Sequence, residues 1–298
     1  MMTNDNVEIV REMDHAAKLV EERLHEQFSE AAPGYATLVE AMRYSLLAGG
    51  KRVRAVLCMK FCEAAGGKQT DALDAACAVE MLHTYTLIHD DMPCMDGDEM
   101  RRGKPSNHIE FGEFTAMLAG DALQAAAFES LAGSDLPPEA VVEMVRVLAE
   151  AAGVHGICGG QYIDLSAEGW QLTPDELMEL HALKTSALIS AAARLGVIAG
   201  GGTREQTEAA AAYANAVGLA FQVRDDVLDC TATAEELGKP VGSDIENEKT
   251  TFASLLGIEA CERIISKETE KAVDALAGKF KNTEFLTWFA LMLAKRKH

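Results

Sequence analysis

A cluster of carboxylates stands at the end of a long apolar segment in the first third of the chain. Residues 89–96 read HDDMPCMD, which places Asp96 five positions after the second of the adjacent pair Asp90 and Asp91. An RRGK run follows within the same polar stretch. Carboxylate oxygens of this kind suit Mg²⁺, which usually keeps several waters and bridges carboxylates to phosphates. The acids and the cations together predict chemistry on a phosphorylated substrate.

A second cluster closes a later apolar segment. Residues 221–229 read FQVRDDVLD, in which Asp225 and Asp229 are four positions apart and therefore share one face of a helix. Carboxylates on the core-facing side of such a helix are costly unless a cation offsets their desolvation. In so acidic a chain, one cluster alone is weak evidence for a metal. Two clusters, each at the end of an apolar helix, favour shared metal ions.

Basic residues gather beside these acids. Lys51, Arg52 and Arg54 follow two glycines at a predicted helix start, where free N–H groups and the helix dipole favour an anion. Each cation alone is more often a solvated surface charge, but the group fits a substrate that carries diphosphate. The other members of the group are Arg101, Arg102, Lys104, Lys184, Lys239 and Lys249.

Helical periodicity dominates the segments that must position these residues. Ala, Leu, Met and Glu are abundant, and apolar residues recur at intervals of three and four. Polar loops interrupt the pattern at residues 93–107 and 237–250, and no alternating strand pattern, repeat or interdomain linker stands out. The sequence therefore predicts an all-α fold, a single domain over residues 1–298 with about ten helices. After a first helix that ends before Pro33, the predicted helices cover about residues 36–47, 53–65, 70–90, 111–132, 138–153, 173–200, 203–229, 258–276 and 282–297.

The charge balance disfavours some classes of partner. The chain has 298 residues, with 27 Lys plus Arg against 47 Asp plus Glu, a formal net charge of −20. Nucleic acids and anionic lipid surfaces both require a basic face, so we expect neither as a partner. With no basic and apolar leader and no run of about 18 uncharged apolar residues, we expect no signal peptide and no membrane span. The seven cysteines are expected to be small buried thiols in a reducing cytoplasm.

The motifs resemble those of the trans-isoprenyl diphosphate synthases. HDDMPCMD followed by RRGKP is similar to the first aspartate-rich motif of that family, in the form seen in bacterial farnesyl and plant-like geranylgeranyl synthases. Further similar motifs follow in the family's order: LAGDAL from residue 118, GGQYID from residue 159, Lys184-Thr185, Phe221-Gln222 and GKPVGSD from residue 238. The match by motif covers about residues 40–255. It implies an isoprenoid synthase fold, which is a helical bundle around a central cavity, and assembly as a homodimer.

The resemblance also implies a role for each matching residue. Asp90 and Asp96 would hold two Mg²⁺ ions with Asp91 in support, and Asp225 would hold a third. The residues that would bind isopentenyl diphosphate are Lys51, Arg54, His83 and Arg102. The residues that would bind or cover the allylic diphosphate are Arg101, Lys184, Thr185, Gln222, Lys239 and Lys249. The catalytic groups would be Asp90, Asp91, Asp96, Arg101, Lys184 and Asp225.

The implied reaction joins an allylic diphosphate to isopentenyl diphosphate. Metal ions and cations neutralise the leaving diphosphate so that the allylic group ionises. The double bond of isopentenyl diphosphate, held beside it, attacks the allylic cation, and a proton then leaves. Ala55, Arg224 and Glu248 depart from the family pattern, and Glu248 beside Lys249 could loosen the closing loop. None of these departures removes a proposed ligand.

The residues just before the first cluster bear on product length. Tyr85 and Thr86 stand five and four positions before Asp90, about 6–7.5 Å below it along a helix. The resemblance implies that a large residue at the fifth position stops elongation at fifteen carbons. We therefore expect (2E,6E)-farnesyl diphosphate, made from dimethylallyl and geranyl diphosphates. The plainer interpretation is that Tyr85 is only a core aromatic.

Three alternatives stay open. The first is a geranylgeranyl diphosphate synthase, for which Tyr85 is the discriminating residue. The second is a non-catalytic partner subunit of the same fold, which would be expected to lose aspartates or cations, and none is missing here. The third is a carboxylate di-iron bundle, because Glu80 and His83 have the required i, i+3 spacing. Two similar Glu–His pairs lie ten residues apart on one N-terminal helix and are better explained as surface pairs.

Overall fold

The computed structural model describes residues 4–167, 169–231 and 250–296. Within it the chain divides into two compact units. The first unit comprises Met1–Leu148 and Leu195–Gly202, and the second comprises Ala149–Arg194 and Thr203–His298. The single domain predicted over residues 1–298 stays a prediction.

Helices build the first unit. The helices that begin in it are α1 (Asn4–Gln27), α2 (Ala36–Leu46), α3 (Val53–Ala65), α4 (Leu73–Asp90), α5 (Asn107–Phe111), α6 (Glu113–Ala132) and α7 (Pro138–Ala152). Short 3₁₀ turns cover Pro33–Tyr35 and Gln69–Ala72, and a longer connection with a hairpin lies between α4 and α5.

Helix α4 is the buried helix of the first unit and ends at the first carboxylate cluster. Between Ala75 and Ile88 almost every residue is buried, because Ala, Val, Leu and Met recur around the whole helix rather than along one stripe. The helix packs most extensively against α6 and also contacts α3. A helix buried on all sides holds its last residue, Asp90, at a fixed place.

A small hairpin lies in the stretch that the sequence predicts to be an irregular loop. Strand β1 (Met100–Arg101) pairs antiparallel with β2 (Lys104–Pro105). The two turn residues, Arg102 and Gly103, have φ values of 52° and 74°, as the tightest hairpin turns require. The prediction of a loop without strands is wrong over these residues, because Arg102 adopts a left-handed conformation that its residue type does not signal.

The second unit is also helical. The helices that begin in it are α8 (Ile157–Ser166), α9 (Pro174–His181), α10 (Ala187–Ala199), α11 (Arg204–Thr231), α12 (Phe252–Leu256), α13 (Ile258–Leu276) and α14 (Glu284–Lys295). Helix α9 begins with a capping box, in which Thr173 accepts from the N–H of Glu176 and Glu176 accepts from the N–H of Thr173. Helices α11 and α13 pack along each other, and their shared core includes Val223, Val227, Cys261 and Ile265.

The all-α prediction is confirmed, but α5, α8 and α12 lie where the sequence predicts no helix. Helices α5 and α12 have five residues each, too few to show a helical period, and α8 contains two adjacent glycines, which disfavour a helix. One predicted helix is also interrupted. The helix predicted over residues 173–200 contains a π-helical segment, Ala182–Ser186, between α9 and α10. The stretch Pro174–Ala199 is long and apolar enough to cross a membrane by composition, yet 61% of its most apolar window is buried, as in the core helix of a soluble protein. Four of the seven cysteines are buried as expected, but Cys94, Cys158 and Cys230 are exposed.

Candidate active site

The first carboxylate cluster turns back on itself at the end of α4. The backbone N–H of Asp96 donates to the carbonyl of Asp90 over 2.9 Å, and the N–H of Gly97 donates to that of Met92 over 3.1 Å. The turn therefore brings the backbone of Asp96 beside that of Asp90. Asp90 is half-buried and Asp96 is exposed. Both predicted metal ligands thus lie at one helix end, where solvated ions can approach them.

The second aspartate of this cluster has a different environment. Asp91 is only 2% exposed, and its carboxylate accepts from Nε of Arg101 over 2.9 Å and from Nη2 of the same residue. Burial raises the pKa of Asp91 above its usual value, and Arg101 acts in the opposite direction. Arg101 also donates to Asp98 over 3.0 Å. Arg101, Arg102 and Lys104 line one small cavity of about 20 Å³ together with Asp91.

Two residues predicted to bind isopentenyl diphosphate are in contact. Arg54 Nη1 lies 3.3 Å from His83 Nε2. Burial lowers the pKa of His83 well below its usual value, and the charges of Arg54 and Arg102 act in the same direction. A neutral His83 can accept a hydrogen bond from Arg54 at this nitrogen. The guanidinium of Arg54 therefore lies against a neutral imidazole, that of His83.

Arg102 reaches from the hairpin to the glycine turn before α3. Its Nη1 donates to the carbonyl of Gly49, and a Cβ placed on Gly50 would lie 3.3 Å from that nitrogen. Gly50 has a φ of 129°, which L side chains rarely adopt. Lys51 is exposed directly after this turn. The structure thus brings Arg102 close to the loop that carries Lys51.

Arg52, the next residue after Lys51, makes buried contacts that hold the fold together. Its side chain is 1% exposed, its Nη1 lies 3.3 Å from the carboxylate of Glu80, and its Nη2 donates to the carbonyl of Leu46 over 2.7 Å. The N–H of Ala55 donates to the same carboxylate over 3.3 Å. Glu80 is therefore engaged by Arg52 and Ala55, which removes support for a di-iron centre at this position.

The residues predicted to set product length lie on the buried part of α4. Tyr85 is 6% exposed, and its ring meets the ring of His89 edge-on at 5.6 Å. His89 Nε2 lies 3.0 Å from the carbonyl of Met117 in α6, and a Cβ on Gly120 would come within 2.1 Å of the same nitrogen. The buried Thr86 hydroxyl donates to a carbonyl of α4 itself. Gly120 thus makes room for the ring against which Tyr85 packs.

In the second unit, Lys184 lies on the π-helical segment Ala182–Ser186. Its ammonium contacts the carboxylate of Asp164, twenty residues earlier on α8. A Cβ on Gly160 would come within 2.4 Å of the backbone nitrogen of Lys184. Gly160 therefore permits α8 to approach the segment closely, and Asp164, one turn further along, reaches the ammonium. Single-turn π segments inside α-helices occur frequently at functional sites.

Thr185 and Gln222 are joined in a short hydrogen-bonded chain. The hydroxyl of Thr185 donates to Oε1 of Gln222 over 3.4 Å, and Nε2 of Gln222 donates to Oδ1 of Asp226 over 3.4 Å. The other carboxylate oxygen of Asp226 accepts from the N–H of Phe252 over 2.7 Å. Asp226 is 4% exposed, so it anchors the first residue of α12 rather than facing solvent.

Asp225 and Asp229, which the sequence predicts to share a face of α11, differ in exposure. Asp229 is 4% exposed, whereas the Asp225 side chain is 43% exposed and is contacted by Arg296. Asp225 is therefore the member of the pair that a solvated ion can approach. The neighbouring Arg224 is engaged elsewhere, because its two terminal nitrogens donate to Glu262 over 2.7 and 2.8 Å.

Comparison with known proteins decides the family. The polyprenyl synthetase family matches residues 35–285. The chain belongs to this family. Among curated relatives, the heterodimeric geranylgeranyl pyrophosphate synthase large subunit 1 of Arabidopsis thaliana is 49% identical over 246 residues, which cover 80% of this chain and 66% of that protein. Geranylgeranyl pyrophosphate synthase 3 of the same plant is 50% identical over 250 residues, which cover 81% and 69%. The chain thus spans about two thirds of these relatives' length.

Solved structures of polyprenyl synthetases share the fold. A crystal structure of an FPP/GFPP synthase from Zymomonas mobilis superimposes with a TM-score of 0.87 at 35% identity, covering 97% of this chain and 99% of that one. Geranylgeranyl pyrophosphate synthetase from Pyrococcus horikoshii superimposes with a TM-score of 0.89 at 33% identity, covering 97% and 98%. The predicted isoprenoid synthase fold is confirmed, and family membership supports prenyl transfer as the class of reaction.

The aspartates that the family resemblance assigns to metal binding have side chains whose chemistry suits magnesium. Across residues 4–167, 169–231 and 250–296, no three carboxylate, imidazole or thiol side chains converge into a ready-made metal cage. Mg²⁺ usually takes one or two carboxylates and completes its shell with waters and substrate phosphates. Asp90, Asp96 and Asp225 offer accessible oxygen donors of that kind. Lys239, Glu248 and Lys249 lie outside the described residues.

Three contacts of the candidate site were not predicted from the sequence. Asp164 lies in the GGQYID motif, but nothing in that motif alone predicts its contact with Lys184. Asp226 stands beside the predicted ligand Asp225, yet only the fold shows that it holds the start of α12. Arg296 carried no sequence signal, because a basic residue near the end of an amphipathic helix is commonplace.

Proposed function

We propose that the protein is a magnesium-dependent trans-prenyltransferase that condenses isopentenyl diphosphate with allylic diphosphates to form geranylgeranyl diphosphate. One observation carries the proposal: the backbones of Asp90 and Asp96 meet at the end of the largely buried helix α4, where the adjacent Asp91 holds the guanidinium of Arg101. This arrangement combines oxygen ligands for a metal with a cation for phosphate. Family membership supports the class of reaction.

Each group of residues has a definable task in that reaction. When bound, Mg²⁺ neutralises negative charge on the departing diphosphate. Arg101, fixed by Asp91, donates to phosphate oxygens, and Arg54 on neutral His83 does the same for the other diphosphate. The positive charges favour ionisation because they stabilise the leaving group as its charge develops.

Lys184 contributes a second type of cation. Its ammonium is oriented by Asp164, and its backbone lies on the π-helical segment that Gly160 allows to pack closely. Thr185 is held next to it by Gln222, whose amide is in turn oriented by Asp226. We propose that this chain of contacts keeps the allylic diphosphate oriented, so that ionisation yields a cation placed for attack.

The C20 product is supported by the curated relatives, since the proteins 49–50% identical to this chain are geranylgeranyl synthases. Farnesyl diphosphate is the second candidate and stays a prediction. One observation favours it: the large ring of Tyr85 lies buried on α4, one and a half turns before Asp90. A ring at that place would obstruct a chain growing past it.

We further propose that the partner of this chain is a second copy of itself. Helix α6 exposes three large apolar residues on one face, Phe114 at 77%, Leu118 at 49% and Met117 at 39%. Apolar residues in this spacing are unusual on a helix face that stays in water. One relative is named as the large subunit of a heterodimer, so the alternative partner at this face of α6 is a different chain. We also propose a cytoplasmic location, as the sequence leads us to expect.

The oligomer is tested by light scattering on the purified chain. We expect twice the 32.0 kDa of one chain, and a monomer for Phe114→Glu. Val154→Glu is the matched control, since Val154 is 72% exposed and lies outside α6. A monomeric wild-type protein, or a dimer unaffected by Phe114→Glu, would reject the α6 interface.

The activity is tested by incubating purified protein with isopentenyl and dimethylallyl diphosphates, with Mg²⁺ or with EDTA, and separating the products by chain length. A magnesium-dependent C20 product supports the proposal, and a C15 end product supports the second candidate. The variant Asp90→Asn/Asp96→Asn serves as the inactive control. No product from well-folded wild-type protein would reject both and favour a non-catalytic subunit.

A further inference from the structure

One arginine ties the segment after α14 to the second carboxylate cluster. Arg296 directly follows the last residue of α14, and its Nη2 contacts the Asp225 carboxylate and donates to the carbonyl of Phe221 over 3.2 Å. Its guanidinium carbon lies 3.9 Å from the centre of the Phe221 ring. Phe221 and Asp225 are one turn apart on α11, so these contacts seat the guanidinium on one helix face.

The guanidinium is incompletely satisfied at this position. Within the part of the chain that the structure describes, the buried Nε–H of Arg296 has no hydrogen-bond partner. A buried donor without an acceptor is unfavourable. The carboxylate beside it is more open, since the Asp225 side chain is 43% exposed against 17% for Arg296. The contact thus joins a cation with an unsatisfied hydrogen-bond donor to an accessible carboxylate. Such a contact can be replaced by another cation at the carboxylate.

We propose that Arg296 is an internal competitor for the Asp225 carboxylate, which a divalent cation must displace before this aspartate can serve as a ligand. The inference rests on the proposed magnesium-dependent function, because that function makes Asp225 a ligand. A guanidinium and a divalent cation compete because each neutralises the same carboxylate, and their like charges repel at short range. Metal binding at α11 would thereby release Arg296 from its seat.

The first test measures Mn²⁺ binding to the full chain by the electron paramagnetic resonance signal of the free ion. Arg296→Gln is expected to tighten Mn²⁺ binding at one site about two- to fivefold, the range for loss of a partly exposed ion pair. The matched control is Arg224→Gln, which removes an adjacent charge that is paired with Glu262. Unchanged or weaker Mn²⁺ binding in Arg296→Gln would overturn the proposal.

The background variant Asp225→Asn separates this inference from the proposed function. If Asp225 is a ligand, Asp225→Asn lowers the number of Mn²⁺ ions bound, and Arg296→Gln adds no further change. If Asp225→Asn leaves Mn²⁺ binding intact, the metal role of Asp225 fails and the competition fails with it. If Asp225→Asn removes a site but Arg296→Gln has no effect, only the competition fails.

Proteolysis supplies a second readout, which does not require a measurement of Mn²⁺ affinity. Trypsin cleaves after arginine, so cleavage after Arg296 reports whether that residue is seated. We expect Mn²⁺ to accelerate this cleavage in the wild-type protein, as measured by intact mass, and to have no effect in Asp225→Asn. Mn²⁺ that slows the cleavage, or leaves it unchanged, would contradict release.

Discussion

Asp91 and Arg101 form an ion pair that fastens the end of α4 to the hairpin. The carboxylate is buried and receives both Nε and Nη2 of the guanidinium, whose side chain is 35% exposed. Adjacent aspartates therefore have different tasks. Asp90 is half-buried and reaches solvent, whereas the buried Asp91 holds Arg101 in place.

We expect Asp91→Asn to lower both stability and activity. Loss of the charge leaves Arg101 without its anchor, so the free energy of unfolding should fall by about 1–3 kcal/mol. Asp90→Asn is the matched control: it should reduce kcat by about 10²–10³ while lowering the unfolding midpoint less than Asp91→Asn does, because Asp90 is less buried. Denaturant unfolding and steady-state kinetics check both variants. Equal unfolding midpoints for the two variants would contradict a structural task for Asp91.

Asp164 contacts the ammonium of Lys184, and we expect it to act as a positioning residue for that cation. Asp164→Asn keeps the size of the side chain but removes the charge that holds the ammonium, so kcat/KM for the allylic diphosphate should fall about 10- to 100-fold. The same change should add little in a Lys184→Gln background, because residues that act through one contact are not additive. Asp175→Asn, at an exposed acid of α9, is the control. Additive losses in the double variant would show that Asp164 acts independently of Lys184.

Gly160 is required by the backbone of the π-helical segment. Gly160→Ala would place a Cβ within 2.4 Å of the Lys184 nitrogen, and backbone atoms cannot move aside as a flexible side chain can. We expect destabilisation of about 3 kcal/mol or more. Gly34→Ala is the control, since no atom lies within 4 Å of its added Cβ. Thermal unfolding of both variants measures the loss of stability. An unchanged midpoint for Gly160→Ala would show that α8 can shift.

Sequence patterns predict features that lie within one motif or one helix. The apolar run that ends at Asp90 predicts α4, and the spacing of Asp90 and Asp96 predicts two ligands at its end. The cations Arg101 and Arg102 could be placed beside them because they follow in the same loop. The hairpin was missed because it depends on the left-handed conformation of Arg102, which few non-glycine residues adopt.

Pairings between distant residues were beyond sequence reasoning. Asp164 and Lys184 are separated by 20 positions, and Asp225 and Arg296 by 71. Charge shows that each can pair, but an acidic chain offers many acids to every cation, so only the fold selects the partner. The same limit applies to Asp91, whose burial distinguishes it from Asp90 although the two are neighbours.

His181 makes the stability of the second unit depend on pH. Burial lowers the pKa of His181 to about 4, with the charge of Lys184 acting in the same direction and Asp164 opposing it. The unfolded chain therefore binds this proton first, so stability is full above about pH 6.5 and falls as the pH drops toward 4. The loss from this group is on the order of 3 kcal/mol.

His181→Phe should therefore flatten the pH dependence of unfolding between about pH 6.5 and 4. Phenylalanine keeps a ring against Phe252, which lies 5.5 Å from the imidazole, but cannot take up a proton. The variant His25→Gln, at an exposed position of α1, should keep the wild-type slope. Urea unfolding at several pH values measures the slope, part of which remains because the pKa of His83 is also lowered. An unchanged slope in His181→Phe would show that the imidazole titrates normally.

Tyr85 distinguishes the two candidate products. If its buried ring blocks further elongation of the product, the wild-type end product is C15. Tyr85→Ala then shifts the product to C20 or longer, because removal of the ring opens space about 7.5 Å below Asp90. If the product is C20, Tyr85→Ala leaves the distribution unchanged. Thr86→Val is the control, since the two side chains are similar in size and the Thr86 hydroxyl donates to a carbonyl within α4. Radiolabelled isopentenyl diphosphate with chromatography of the dephosphorylated products measures the length. A C15 product that persists in Tyr85→Ala would show that another residue limits the product length.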